Sequence, residues 1–265
     1  MITVLGASGF IGSRVVKRLE ALGREYQAVR RDDPMPAGPL GDVVYCIGLT
    51  ADFRSRTFDT VEAHVCKLLD VLRRGDFESL LYLSSTRLYG ASDSTSEEGL
   101  IRVSSHDVYN ASKIAGESLV LNCGRPGRVV RISNVYGDDF NSNNFLSTII
   151  KDAITQRKIV LQTSAESAKD YISVDNVVDA LIAIATSAKE PIYNLASGVN
   201  VSNGQLAEAL RELTGCTIEY SQSAPLVTFP PINTGRLRAE FALQPSSVLD
   251  DMPQLIEAYR RNLES

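Results

Sequence analysis

Ile2-Thr-Val-Leu-Gly6-Ala-Ser-Gly9-Phe-Ile-Gly12 decides how the chain is read. A short apolar run enters three glycines, and a helix-period segment over residues 10–22 leaves them. A strand that turns through glycines into a helix can hold a pyrophosphate. The glycines admit a tight turn and close backbone approach, and the first N–H groups of the helix point at the phosphates. Gly6, Ser8, Gly9, Phe10, Ile11 and Gly12 are the candidate contacts. The spacing is GxxGxxG rather than the GxGxxG of the usual dinucleotide loop. A plain turn with spare glycines is the bland alternative. Three glycines between residues 6 and 12, directly after a strand, argue against it.

Outward from that loop, short apolar runs alternate with helix-period segments, the pattern of parallel strands covered by helices. Strands are expected at Ile2–Leu5, 26–30, 43–47, 80–83 and 129–132. Helices are expected over 10–22, 61–72 and from about His106 to Asn122, the last capped by Ser104 or Ser105 and ended by Gly124 and Pro126. The run at 43–47 is continuously apolar, as a strand buried on both faces requires. Residues 32–42, rich in Pro, Gly and Asp, are all that separate it from the second strand, whereas a crossover helix with its own strand takes ~30 residues. The usual third strand and its helix are therefore expected to be missing. Past residue 140, helices are expected at 144–156, Val174–Ser187, 202–214 (capped by Ser202) and 248–262, with strands at 159–161, Ile192–Leu195 and Thr217–Tyr220.

The expected fold class is α/β: a Rossmann-like doubly wound parallel sheet, lacking its third strand, with a small C-terminal substrate lobe. Residues 1–140 are expected to bind the dinucleotide. Residues 141–265 are expected to be mainly the substrate lobe, with strands returning to the main sheet.

Composition narrows the function classes. A net charge of −5 with scattered Lys and Arg gives no electrostatic case for nucleic acid or an anionic membrane. No apolar run approaches the ~20 residues of a membrane span. The N-terminus enters a strand without a basic leader, so a cytoplasmic location is expected. Cys46, Cys66, Cys123 and Cys216 form no CxxC pair and are expected to be reduced. His64 and His106 are the only histidines, which excludes a histidine-rich metal site, and no metal is expected. Neither stands beside a convincing nucleophile motif.

The second strand ends in Arg30-Arg31, followed by Asp32-Asp33. Arginine there suits the 2′-phosphate of NADP(H), which is favoured over NAD(H), although NAD(H) stays possible. The alternative is a pair of solvated arginines balanced by the aspartates.

Tyr109-Asn-Ala-Ser-Lys113 places a phenol and an ammonium on one helix face. A free phenol titrates near ~10, and a neighbouring cation stabilises its anion, so the pair can exchange a proton with a hydroxyl or carbonyl. Alone, YxxxK is a weak signal. The run Leu81-Tyr-Leu-Ser84-Ser85-Thr-Arg-Leu-Tyr-Gly90 strengthens it, because it brings hydroxyls to the C-terminal end of a parallel strand.

With these motifs the chain resembles the extended short-chain dehydrogenases/reductases, the nucleotide-sugar epimerase/dehydratase family, over nearly its whole length. Arg131-Ile-Ser-Asn134-Val-Tyr-Gly137, Lys169-Asp170-Tyr171-Ile-Ser-Val174-Asp175 and Tyr193-Asn-Leu-Ala-Ser-Gly198 belong to the likeness. The resemblance implies a catalytic set of Ser85, Tyr109 and Lys113, with Tyr109, Lys113 and Gly48 also against the cofactor. It implies substrate contacts from Ser85, Thr86, Arg87, Asn134 and Lys169, and a homodimer through the helices after 43–47 and 80–83.

Three departures matter. Thr86-Arg87 stands where the 4,6-dehydratases carry Asp-Glu, so dehydration is not expected. His64, in Val61-Glu-Ala-His64-Val65, replaces the family's Asn-Val-x-Gly-Thr pattern and either faces the cofactor or packs in the helix. Cys46 lies where many relatives carry histidine and is read as a buried strand residue.

The expected function is an NAD(P)-dependent reductase or epimerase of a nucleotide-linked sugar. The alternatives are a reductase of a small non-sugar carbonyl compound and a non-catalytic NAD(P)-responsive binding protein.

Overall fold

The computed structural model describes residues 1–49, 53–92 and 94–264. In chain order the elements are β1 (Ile2–Leu5), α1 (Phe10–Ala21), β2 (Tyr26–Val29), β3 (Pro39–Tyr45), α2 (Thr57–Val61), α3 (Lys67–Arg74), β4 (Asp76–Ser85), α4 (Val108–Leu121), β5 (Gly127–Ile132), β6 (Asn134–Tyr136), α5 (Phe145–Thr155), β7 (Lys158–Leu161) and β8 (Ala168–Ser173). They continue as α6 (Val174–Ser187), β9 (Ile192–Leu195), β10 (Asn200–Ser202), α7 (Asn203–Thr214), β11 (Thr217–Tyr220), α8 (Gly235–Phe241) and α9 (Val248–Glu264). A π-helical turn, Glu62–Cys66, joins α2 to α3.

The chain forms two compact units. The first comprises Met1–Ile132, Val174–Leu195 and Asn233–Leu243. Its sheet has the order β2-β1-β3-β4-β5-β9, every pair parallel. β1 lies between β2 and β3, and residues 30–38 link β2 to β3 with no intervening strand or helix, so the expected loss of the third strand holds. α1 and α6 pack together on one face, tied by Arg18 and Asp179 at 2.8 Å; α3 and α4 pack together with the π-turn. Between strands and helices, Leu5, Val43, Tyr45, Leu68, Leu80, Tyr82 and Val129 form a buried core, as near-continuous apolar strands demand.

α4 starts later than expected. Ser104 Oγ is taken by the His106 N–H in a preceding turn, and Asp107 caps the helix instead, accepting the Asn110 N–H at 3.1 Å. The helix expected over 61–72 extends back to Thr57. α8 was not expected at all; its seven residues are too few for a periodic pattern.

The second unit comprises Ser133–Ser173, Ala196–Ile232 and Gln244–Ser265. It holds a three-stranded sheet, β10-β8-β6, and the parallel pair β11-β7. Its core gathers Tyr136, Leu146, Ile150, Leu206, Met252 and Tyr259. Ser202 caps α7 as expected, within a reciprocal capping box with Gln205.

One buried charge anchors the first unit. Arg131 on β5 donates from Nε (3.0 Å) and Nη2 (2.8 Å) to the Glu117 carboxylate on α4, and both residues are buried. Its Nη1 donates to Tyr89 Oη (2.7 Å) and the Glu97 carbonyl (3.3 Å), while Tyr89 donates to Asn194 Oδ1 (2.8 Å) on β9. Removing one member leaves an uncompensated buried charge, which costs about 3–5 kcal/mol. Glu117→Ala is therefore expected to lose stability of that order in urea unfolding. A loss below about 1 kcal/mol would mean that water replaces the pair.

Candidate active site

The loop after β1 carries out the turn that its glycines permit. Gly6 has φ +85°, and a Cβ on Gly12 would lie 2.3 Å from the Gly6 carbonyl oxygen, so no larger residue fits there. Ser8 and Gly9 are exposed, and the N-cap Gly9 gives α1 no side-chain cap, which leaves first-turn N–H groups of α1 for an anion. These features fit a dinucleotide pyrophosphate. Arg30 and Arg31 follow β2 directly. Asp32 is held by Lys67 Nζ at 2.8 Å, which lowers its carboxyl below the usual range, and Lys67 also donates to the Arg31 carbonyl at 2.7 Å. Asp33 accepts the Arg30 N–H at 2.8 Å.

β4 ends at Ser85, whose Oγ accepts the Arg87 N–H (3.2 Å) as the chain enters a 3-10 turn, Thr86–Ala91. Tyr109, in the first turn of α4, is buried, and its phenol lies close enough to the Ser85 side chain for that hydroxyl to lower it. Lys113, one turn on, is buried and donates from Nζ to the Leu83 carbonyl at 2.7 Å. A Cβ on exposed Gly48 would lie 3.7 Å from that Nζ. The structure thus brings Ser85, Tyr109, Lys113 and Gly48 to one place, at the C-terminal ends of β3 and β4.

Arg87 and Phe53 cover the tyrosine. The Phe53 ring centroid is 4.8 Å from that of Tyr109, and the Arg87 guanidinium carbon is 4.8 Å from the Phe53 centroid and 5.6 Å from that of Tyr109. Thr86 points elsewhere: it is buried, with Oγ1 toward the Ile132 carbonyl at 3.5 Å. Asn134 and Lys169 belong to the second unit, where Asn134 Nδ2 donates to the Asp170 carbonyl (2.8 Å) and Lys169 Nζ lies 4.9 Å from the Phe145 ring centroid.

His64 is fully buried in the π-turn. The Leu49 N–H donates to its Nε2 (3.3 Å), so Nδ1 carries the proton and donates to Ser112 Oγ (2.9 Å), which donates to the Tyr109 carbonyl (2.9 Å). Its ring lies edge-on to Tyr109, with centroids 5.4 Å apart. The histidine therefore packs in the helix while bracing the tyrosine helix. The sequence held the partner in plain sight, Ser112 within YNASK, but nothing in the spacing joined it to a residue 48 positions away. Cys46, expected as a buried strand residue, lies half-buried just past the end of β3, and desolvation pushes its thiol up to about 12, which favours the neutral form. Among the described residues no cluster of His, Cys, Asp and Glu could hold a metal ion, and no helix is long and apolar enough to cross a membrane.

The electrostatics differ from a simple lysine-tuned phenol. Burial raises Tyr109; the Ser85 hydrogen bond and then the Arg87 charge pull it down. Burial pushes Lys113 down to about 7, with Glu117 opposing. Burial, then the Lys113 charge, drives His64 down to about 2.

A family described as the NAD dependent epimerase/dehydratase family matches residues 38–196. The chain belongs to that family. It is an enzyme of the extended short-chain dehydrogenase/reductase type, in a family of nucleotide-sugar epimerases, dehydratases and reductases. A dTDP-4-dehydro-6-deoxy-D-allose reductase from a Streptomyces species is 24% identical to it, with 81% of each chain covered. The fold of MoeE5, solved with UDP-glucose and NAD, superposes with a TM-score of 0.84 at 22% identity, covering 99% of both chains. RMD from Pseudomonas aeruginosa, solved with NADPH, gives 0.83 at 18% identity, covering 98% of this chain and 99% of that one. NAD is the cofactor that the family's description names.

Two pH effects on stability follow. The unfolded chain keeps Lys113 protonated up to about 10.5, whereas the folded chain releases the proton near 7. Stability therefore rises with pH across that window, and the penalty is fullest below pH 7. Lys113→Met is expected to raise the melting temperature by several degrees at pH 6–7, with the gain shrinking toward pH 10. For His64 the unfolded chain takes up a proton below its ordinary 6.5 while the folded chain resists to about 2. Stability is lost as pH falls below 6.5, and His64→Gln should flatten that acid limb of the melting-temperature profile. A slope unchanged in this variant would place the acid sensitivity on the carboxylates.

Proposed function

We propose that the chain is an NAD(P)-dependent oxidoreductase acting on a sugar carried by a nucleotide, with reduction of a keto-sugar using NADPH as the leading reading. The observation that carries it is the meeting of the Tyr109 phenol with the Ser85 side chain at the end of β4, with Lys113 on the same face of α4. The dinucleotide, when bound, supplies or accepts hydride at the sugar carbon. Ser85 holds the reacting oxygen. Tyr109, protonated at neutral pH because burial raises it, gives that oxygen a proton. Lys113 is placed to hold the nicotinamide-side ribose next to Gly48 and to help return a proton to Tyr109. Residues Gly6, Ser8, Gly9, Phe10, Ile11 and Gly12 hold the pyrophosphate.

The NADP(H) preference rests on Arg30 and Arg31, whose neighbouring Asp32 is already ion-paired with Lys67. Dehydration is disfavoured, since Asp107, beside Arg87, is committed to capping α4. Asn134 and Lys169 are read as substrate contacts from the second unit. A homodimer through α2–α3 and α4 suits Phe58, which is 91% exposed on α2. Epimerisation is the second reading, favoured by relatives solved with NAD and a nucleotide sugar, such as MoeE5 and the UDP-glucuronic acid 4-epimerase of Bacillus cereus.

Denaturing the purified protein and identifying any released dinucleotide separates the two readings. Tightly held NAD favours epimerisation, whereas an empty protein that binds NADPH more tightly than NADH favours reduction. Tyr109→Phe is expected to lower turnover of nucleotide-linked keto-sugars by about 10²–10⁴-fold while dinucleotide binding stays within about threefold. Turnover unaffected by this change would sink the relay. Binding of neither dinucleotide would favour a non-catalytic protein, and turnover of free carbonyl compounds alone would favour the non-sugar reductase.

A further inference from the structure

Two guanidinium groups converge on the cover of the reacting tyrosine. Arg87 and Arg54 each place the guanidinium carbon 4.8 Å from the Phe53 ring centroid, and the Phe53 ring packs against that of Tyr109 at a tilt of 45°. Arg87 is half-buried, whereas Arg54 is exposed. A guanidinium held over a ring face by cation–π attraction keeps N–H groups for a planar oxyanion. Among the described residues the one carboxylate close to Arg87 is Asp107, at 3.9 Å, beyond hydrogen-bond reach, and its other oxygen caps α4. Asp107 therefore orients Arg87 without satisfying it. A neutral sugar drawn against Tyr109 would offer this cation hydroxyl acceptors but no charge, whereas a carboxylate would offer both, in a bidentate geometry.

We propose that Arg87, supported by Arg54, binds a carboxylate carried on the sugar ring near the reacting carbon, so that the preferred substrate is a uronic-acid type of nucleotide sugar. This rests on the nucleotide-sugar reading above and narrows it. The guanidinium fork suits a carboxylate bidentately, and its closeness to Tyr109 places the anion on the reacting sugar rather than on the nucleotide. Arg87 then sorts substrates by charge at the position where a dehydratase would need an acid.

The test is isothermal titration of the full-length protein, saturated with the reduced dinucleotide that it binds best, with UDP-glucuronate and UDP-glucose. The two ligands differ at one carbon. Wild type is expected to bind UDP-glucuronate at least tenfold more tightly, and Arg87→Gln to bring the ratio near one. Arg54→Gln, an exposed change with little risk to folding, should reduce the ratio severalfold. A ratio near one in wild type overturns the proposal without any variant. So does an Arg87→Gln loss that is equal for both ligands, which would assign Arg87 to the diphosphate they share. If neither UDP-sugar nor dTDP-glucose binds while the dinucleotide does, the nucleotide-sugar reading itself falls, and this inference with it.

Discussion

A guanidinium sealed inside a protein must be met by an anion and by acceptors for its remaining N–H groups, or the fold loses several kcal/mol. Arg131 meets that condition with elements that also carry the site. Glu117 stands one turn beyond Lys113 on α4, and Tyr89 lies within the short turn that Ser85 caps. Asn194 brings in β9, and its Nδ2 holds the Thr95 and Asn233 carbonyls. Satisfying one buried charge thus fixes α4 relative to β4 and β5. The meeting of Tyr109 with Ser85 depends on that register.

Above this anchor the site is kept dry. Tyr109, Lys113 and His64 are all buried, and burial moves each toward its neutral form. A neutral phenol beside a hydroxyl is a proton donor, which suits a group that must protonate a developing alkoxide. A neutral His64 can accept from Leu49 and donate to Ser112 at once, which a charged imidazole could not. Arg87 is half-buried, where water still reaches it.

Much of the fold was legible because periodicity and turn chemistry are local. The β1 loop, β5, α6, β9, the Ser202 cap and β11 fall where the apolar pattern puts them, and the short link after β2 foretold the missing strand. What failed was also local in origin. Ser104 and Ser105 looked like caps, but Asp107 stood nearer the first helical turn. α8 and β6 are too short to have a period.

By itself the sequence determined the strand–loop–helix entry, the succession of strands and helices along the chain and the YxxxK pair, because each depends on residues a few positions apart. Only the tertiary structure decided what those residues face. It set Phe53 and Arg87 over Tyr109, joined His64 to Ser112, and closed Arg131 onto Glu117 and Tyr89. Those contacts span 14 to 56 residues, and no spacing rule reaches across them. They exist because buried polar groups must find partners wherever the packed chain supplies them.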